Sequence, residues 1–139
     1  MQISLIDRSL YYKGLMLLIR KDRKIQDEER KIMMRIGEML GFEMKFCENA
    51  IKEIMDNKHI IDSPPHFTEP GIALCFIRDG LRVSASDRQI DKEELAWLKY
   101  VAETNDIIGL WAEESEKCHL AHNCENLEKD LELKHFVWE

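Results

Sequence analysis

Apolar residues recur every three to four positions along most of this chain, which is the period of an amphipathic helix. Leu5, Leu10, Leu15 and Leu18 mark one stripe, and Ile32, Met33, Ile36 and Leu40 a second. Cys47, Ala50, Ile51, Ile54 and Met55 mark a third, over about Met44 to Asp56. Leu74, Ile77 and Leu81 give a fourth, and Leu95, Leu98, Val101 and Ala102 a fifth. No segment alternates apolar and polar residues as a half-buried strand would, so the pattern predicts an all-α fold, an antiparallel helical bundle. Gly41 ends the second helix as a left-handed cap. The one stretch rich in breakers is 59–70, where Pro64-Pro65 bars a helix.

A shift of 65 positions lays the two sides of that stretch over each other without a gap. Asp22-Arg23-Lys24-Ile25-Gln26-Asp27-Glu28-Glu29 falls over Asp87-Arg88-Gln89-Ile90-Asp91-Lys92-Glu93-Glu94, and Met33, Ile36 and Phe42 fall over Leu98, Val101 and Ile107. Identical Asp, Arg, Ile and paired Glu at one fixed offset point to duplication. The expected organisation is one domain over 1–139. Two pseudo-repeated helix–loop–helix units cover about 5–57 and 70–112, joined by a linker over about 58–69. Ile25 and Ile90 are expected to be buried at equivalent places, and Asp91 with Glu94 reads as a capping box.

Composition narrows the class. With 45% hydrophobic and 34% charged residues, the 139-residue chain has the make-up of a folded domain large enough for a core. Its clean apolar runs, such as 15–19, fall far short of the roughly 20 residues a bilayer span needs. A basic region followed by an apolar stretch and a cleavage site is missing at the start, so the chain reads as soluble and cytoplasmic, without membrane insertion. Cys47, Cys75, Cys118 and Cys124 are too few and too scattered for a disulfide scaffold, and read as reduced thiols. A net charge of −7 excludes a nucleic-acid binder, which needs a basic face.

That charge is concentrated. From Glu113 onward eight carboxylates face three lysines, whereas 20–35 holds seven basic residues against four acids. The tail predicts a long acidic C-terminal helix over about 110–139. Leu120, Cys124, Leu127 and Leu131 are spaced four, three and four along it. Two heptads are too few for a coiled coil, so the helix is expected to span 110–133 and fold back onto its own domain, burying Leu120, Leu127 and Leu131. A monomer is favoured, with a dimer through this stripe as the alternative.

Candidate chemistry lies in three places. The first is the pair of acidic segments, an aspartate, a hydrophobic residue and a helix led by glutamate: Asp22, Ile25 and Glu29, then Asp87, Ile90 and Glu94. In this pattern the chain resembles the tellurite-resistance TerB-like helical domain family, over about Leu5 to Trp111. Arg23 and Arg88 stand where that family has glycine. The resemblance implies a bacterial stress-response module that binds a protein partner, some relatives working near the inner membrane through such a partner. Asp22, Glu29, Asp87 and Glu94 could alternatively converge on calcium or magnesium. An EF-hand is excluded. With Glu29 as the closing ligand, positions one, three and five would be Leu18, Arg20 and Asp22, and the glycine position would hold Arg23. As plain structure, these acids cap helix N-termini.

The second place is Cys118, His119, His122 and Cys124. On a helix turning 100° per residue, Cys118 and His122 lie within 40° of one another and His119 within 100°, while Cys124 points away. Three ligands leave tetrahedral zinc one short, so a soft-metal or redox site here is the weaker alternative to an apolar stripe containing thiols. His59 and His66 flank the prolines and read as solvated. No phosphate loop, nucleophile elbow or catalytic histidine pair is present. The expectation is a non-enzymatic protein-interaction or scaffold module with no required cofactor.

Overall fold

The computed structural model describes residues 2–20, 27–56, 63–84, 92–120 and 131–138, with backbone alone at 28, 117–120, 137 and 138. Six α-helices make up nearly all of it: α1 (Leu5–Ile19), α2 (Asp27–Met39), α3 (Met44–Asp56), α4 (Pro70–Ser84), α5 (Lys92–Thr104) and α6 (Trp111–Leu120). A 3-10 turn, Ile108–Leu110, precedes α6, and a second, Glu132–His135, follows it. Two-residue strands β1 (Gln2–Ile3) and β2 (Val137–Trp138) pair in parallel, Gln2 beside Val137 and Ile3 beside Trp138. The hydrophobic periodicity could not reveal strands this short.

α1 and α4 form the centre. From Leu15 to Ile19 every residue of α1 is buried, as expected of a helix surrounded by others. Tyr11 meets Phe76 edge-on at 5.2 Å. Close approach depends on two glycines: a Cβ at Gly14 would stand 2.7 Å from the Phe76 ring, and one at Gly80 2.7 Å from Leu98. α2 and α5 add Met33, Ile36 and Leu40, and Leu98, Val101 and Ala102, to the same core, and α3 adds Cys47, Ile51 and Ile54. Leu5, expected in the first stripe, is 60% exposed, because the core-facing side of α1 begins only at Asp7.

The helix bounds repeat at a fixed interval. α1 and α4 each span 15 residues, α2 and α5 each 13, and both pairs start 65 positions apart. The ends of α2 and α5 match as well. Gly41 (φ 85°) and Asp106 (φ 58°) are left-handed, and Phe42 N–H donates to Gly37 O as Ile107 N–H donates to Ala102 O, both at 2.9 Å. These are Schellman caps. The cap at Gly41 is as expected; at Asp106 the sequence offers no glycine to announce it.

Buried polar side chains secure the non-helical segments. Ser4 caps α1, accepting the Asp7 N–H, and the buried Asp7 carboxylate accepts both N–H and Oγ–H of Thr68. Asn105 accepts the Phe67 N–H at 2.9 Å and donates to Pro65 O at 2.8 Å. The linker over 63–69 is thereby held at both ends although it forms no regular structure.

A long C-terminal helix over 110–139 is not seen among the described residues, where α6 covers Trp111–Leu120 and the chain is no longer helical at Leu131. The chain after 131 is extended at Leu131, tightens into a 3-10 turn, and ends in β2. A helix continuing through Leu133 would forfeit what replaces it: two backbone N–H bonds to Asp79, packing of Phe136 on Tyr11, and the strand pair. The fold-back itself holds for Leu131, which is fully buried. The Leu120 side chain and Leu127 lie outside the described residues.

Candidate functional site

The acidic segments fall mainly outside the description. Asp22 and Asp87 are not among the described residues, nor are Ile25 and Ile90. Glu29 and Glu94 sit as third residues of α2 and α5, both half-buried. Cys118 and His119 belong to α6 by backbone alone, and His122 and Cys124 lie outside. Among the described residues no three His, Cys, Asp or Glu side chains come together as a metal site. His66 is exposed, Cys47 is a buried free thiol, and Cys75 is a half-buried one.

Two features that sequence periodicity did not single out have shape or chemistry. The first is a cleft of about 660 Å³ between α1 and α3. Tyr12 and Met16 of α1 face Phe42, Phe46, Ala50 and Ile54 across it. Phe42 stacks on Phe46 at 5.0 Å and leans on Tyr12 at 5.6 Å, so the wall is a continuous aromatic surface. Burial, then the hydrogen bond with Cys47, pushes the Tyr12 hydroxyl well above its ordinary pKa, so it stays protonated and donates to Met33 O at 2.9 Å. Phe46 remains 50% exposed at the mouth of this cleft. The sequence signal was available: Phe42 and Phe46, four apart, flank the start of α3.

The second feature is a charged cluster on α4. Asp79 is fully buried. Its Oδ2 accepts Tyr11 O–H at 2.5 Å and Leu133 N–H at 3.1 Å; its Oδ1 accepts Glu132 N–H at 2.6 Å and lies 3.5 Å from Arg82 Nη1. Burial pushes the carboxyl up from 3.8 to about 6, against the pull of its hydrogen bonds and Arg82. Burial, with Asp79 next, likewise raises Tyr11, and burial lifts the neighbouring Cys75 thiol to about 11, which keeps it an unreactive thiol. Arg78 grips Glu114 of α6 through two N–H···O bonds of 3.1 and 3.0 Å, and Glu132 lies 3.6 Å from both Arg78 and Arg82. Every group around Asp79 is a donor or a cation except Cys75 and Glu132, which face it from α4 and the C-terminal turn. The cluster fastens segments together and leaves no open face at which a substrate could reach the carboxylate.

Compared with known proteins, the chain matches no family model, no curated protein and no solved structure. The geometry alone therefore bears on function. No helix among the described residues is long and apolar enough to cross a membrane.

Proposed function

We propose that the chain is a non-enzymatic protein-interaction module made of two helix–loop–helix units of common origin. It would be of the TerB-like kind that serves bacterial stress responses such as tellurite resistance, working in the cytoplasm. The equal helix lengths, the 65-residue spacing and the paired Schellman caps support the duplication. The observation that carries the binding role is the α1–α3 cleft. Its floor is aromatic and aliphatic, and its rim carries Ser9, Lys13, Glu53 and Ser63. An amphipathic helix of a partner protein fits such a groove, placing apolar anchors against Phe42, Phe46 and Ile54.

The test is affinity capture with full-length protein from the native cell, comparing wild type with Phe46→Glu and Tyr100→Glu. Tyr100 is a control of equal exposure on α5, at 53% against 50% for Phe46. A partner retained by wild type and Tyr100→Glu but lost with Phe46→Glu supports the reading. Retention by all three overturns the cleft as the binding surface.

A further inference from the structure

The 3-10 turn Glu132–His135 begins without a cap of its own. Its N-cap residue is Leu131, whose side chain has no oxygen to offer the free N–H groups. Asp79, 53 residues earlier, does that work from another element. One carboxylate receives the N–H groups of two successive residues, Glu132 and Leu133. A side chain that accepts consecutive backbone donors reads an extended or turning main chain, whatever the side chains attached to it.

The surroundings add side-chain selection. Arg78, itself bolted to Glu114, and Arg82 both face the Glu132 carboxylate. Leu131 and Leu133 are buried, and Phe136 stands edge-on to Tyr11 at 5.2 Å. The edge of β1 then pairs with the backbone of Val137 and Trp138. Main-chain capture, an arginine pair for one acid, apolar seats at fixed spacing and a strand edge are the components of a peptide-recognition site.

We propose that this face, formed by α4, Tyr11 and β1, is a binding site for an extended peptide of pattern Leu-acid-Leu-x-x-Phe, filled in cis by residues 131–138 as an exchangeable strap. It lies apart from the α1–α3 cleft and does not depend on that reading. The partner it fits is a segment with the chemistry of the strap, arriving from outside. In the resting chain the strap competes with it, so apparent affinity for an outside peptide is reduced by the fraction of molecules whose strap is seated.

This competition gives a test that a merely structural tail fails. A fluorescent peptide of residues 131–139 is titrated into the full chain and read by anisotropy. Phe136→Ala in the chain weakens the cis strap while leaving the site intact, so peptide affinity rises by about ten-fold or more over wild type. Glu132→Gln in the chain, a milder change that keeps the fold, gives a smaller rise in the same direction. A peptide carrying Phe136→Ala binds the Phe136→Ala chain more weakly than the unaltered peptide does. If neither chain variant binds the peptide better than wild type, the strap is a fixed part of the core and the proposal fails.

Discussion

At the middle of α1 stands Gly14; 65 positions later, at the middle of α4, stands Asp79. The glycine admits the Phe76 ring, and the aspartate admits the C-terminal segment. A similar contrast holds for the third helix of each half. Arg78 of α4 binds Glu114 of α6, whereas the positions 65 earlier are Lys13 and Asn49, which cannot form an ion pair. In the second half Arg78 ties α4 to α6, and in the first half the described residues line an apolar cleft of about 660 Å³. Helices of equal length and equal caps thus carry different polar residues at matching positions.

The largest expected effects come from replacing Asp79 and Gly14. Asp79→Ala strands the Tyr11 hydroxyl and two backbone N–H groups in the core, and is expected to cost about 2–4 kcal/mol in urea unfolding. Gly14→Asp forces a carboxylate against Phe76 and should cost at least as much, since it adds a buried charge to a steric conflict. If Gly14→Asp were neutral, the two positions would be interchangeable and the contrast between halves would collapse.

The pH dependence is next in size. Burial raises the Asp79 carboxyl from 3.8 to about 6, so the folded chain holds that proton more tightly than the unfolded chain. The resulting stabilisation, about 3 kcal/mol, is fully present below about pH 4 and is lost as pH rises through about 6. Tyr11 on α1, Cys75 and Arg82 on α4, and Glu132 on the C-terminal turn are the described groups that face it. Unfolding free energies of wild type and Asp79→Asn, measured from pH 4.5 to 7.5, should differ progressively: the wild type loses stability relative to the variant as pH rises. A constant difference would contradict a strongly desolvated carboxyl.

Helix positions in this chain were legible because they are written locally. Gly41 marks a left-handed stop and Met44 to Asp56 keeps helical spacing throughout; both match the structure. The tail misled because Leu131 does continue a heptad-like spacing, and it is buried, but from an extended residue. What holds it there is Asp79, a tertiary partner that periodicity cannot register. Asp79 left one clue, a lone acid among Phe76, Ile77, Gly80 and Leu81, with glycine at the corresponding place in the first half. Asp7 and Asn105 act the same way on the linker. The cleft left only the pair Phe42 and Phe46, four apart, which look like core residues until the space between α1 and α3 is known.

Smaller effects sharpen the comparison. Glu114→Gln, which unties α6 from α4, is expected to cost about 1 kcal/mol, modest because Arg78 is one-third exposed. The reverse graft, Lys13→Arg with Asn49→Glu, should add at most about 0.5–1 kcal/mol and weaken partner capture by altering charge at the cleft rim, where Lys13 stands. Smallest is the cation response. The melting temperature is expected to be the same with and without millimolar calcium or magnesium. A rise that Asp22→Asn with Asp87→Asn abolishes would move the function to metal sensing.

The most direct test of the contrast places a photo-reactive side chain at position 46 and, in a second protein, at position 111, its counterpart 65 residues on. Both proteins are irradiated at equal expression in the native cell, and adducts are resolved by mass. The account predicts a discrete protein adduct from position 46, suppressed when Lys13→Arg and Asn49→Glu are added, and none from position 111. Equal adducts at both positions, or an adduct only at 111, would contradict the assignment of binding to the first half.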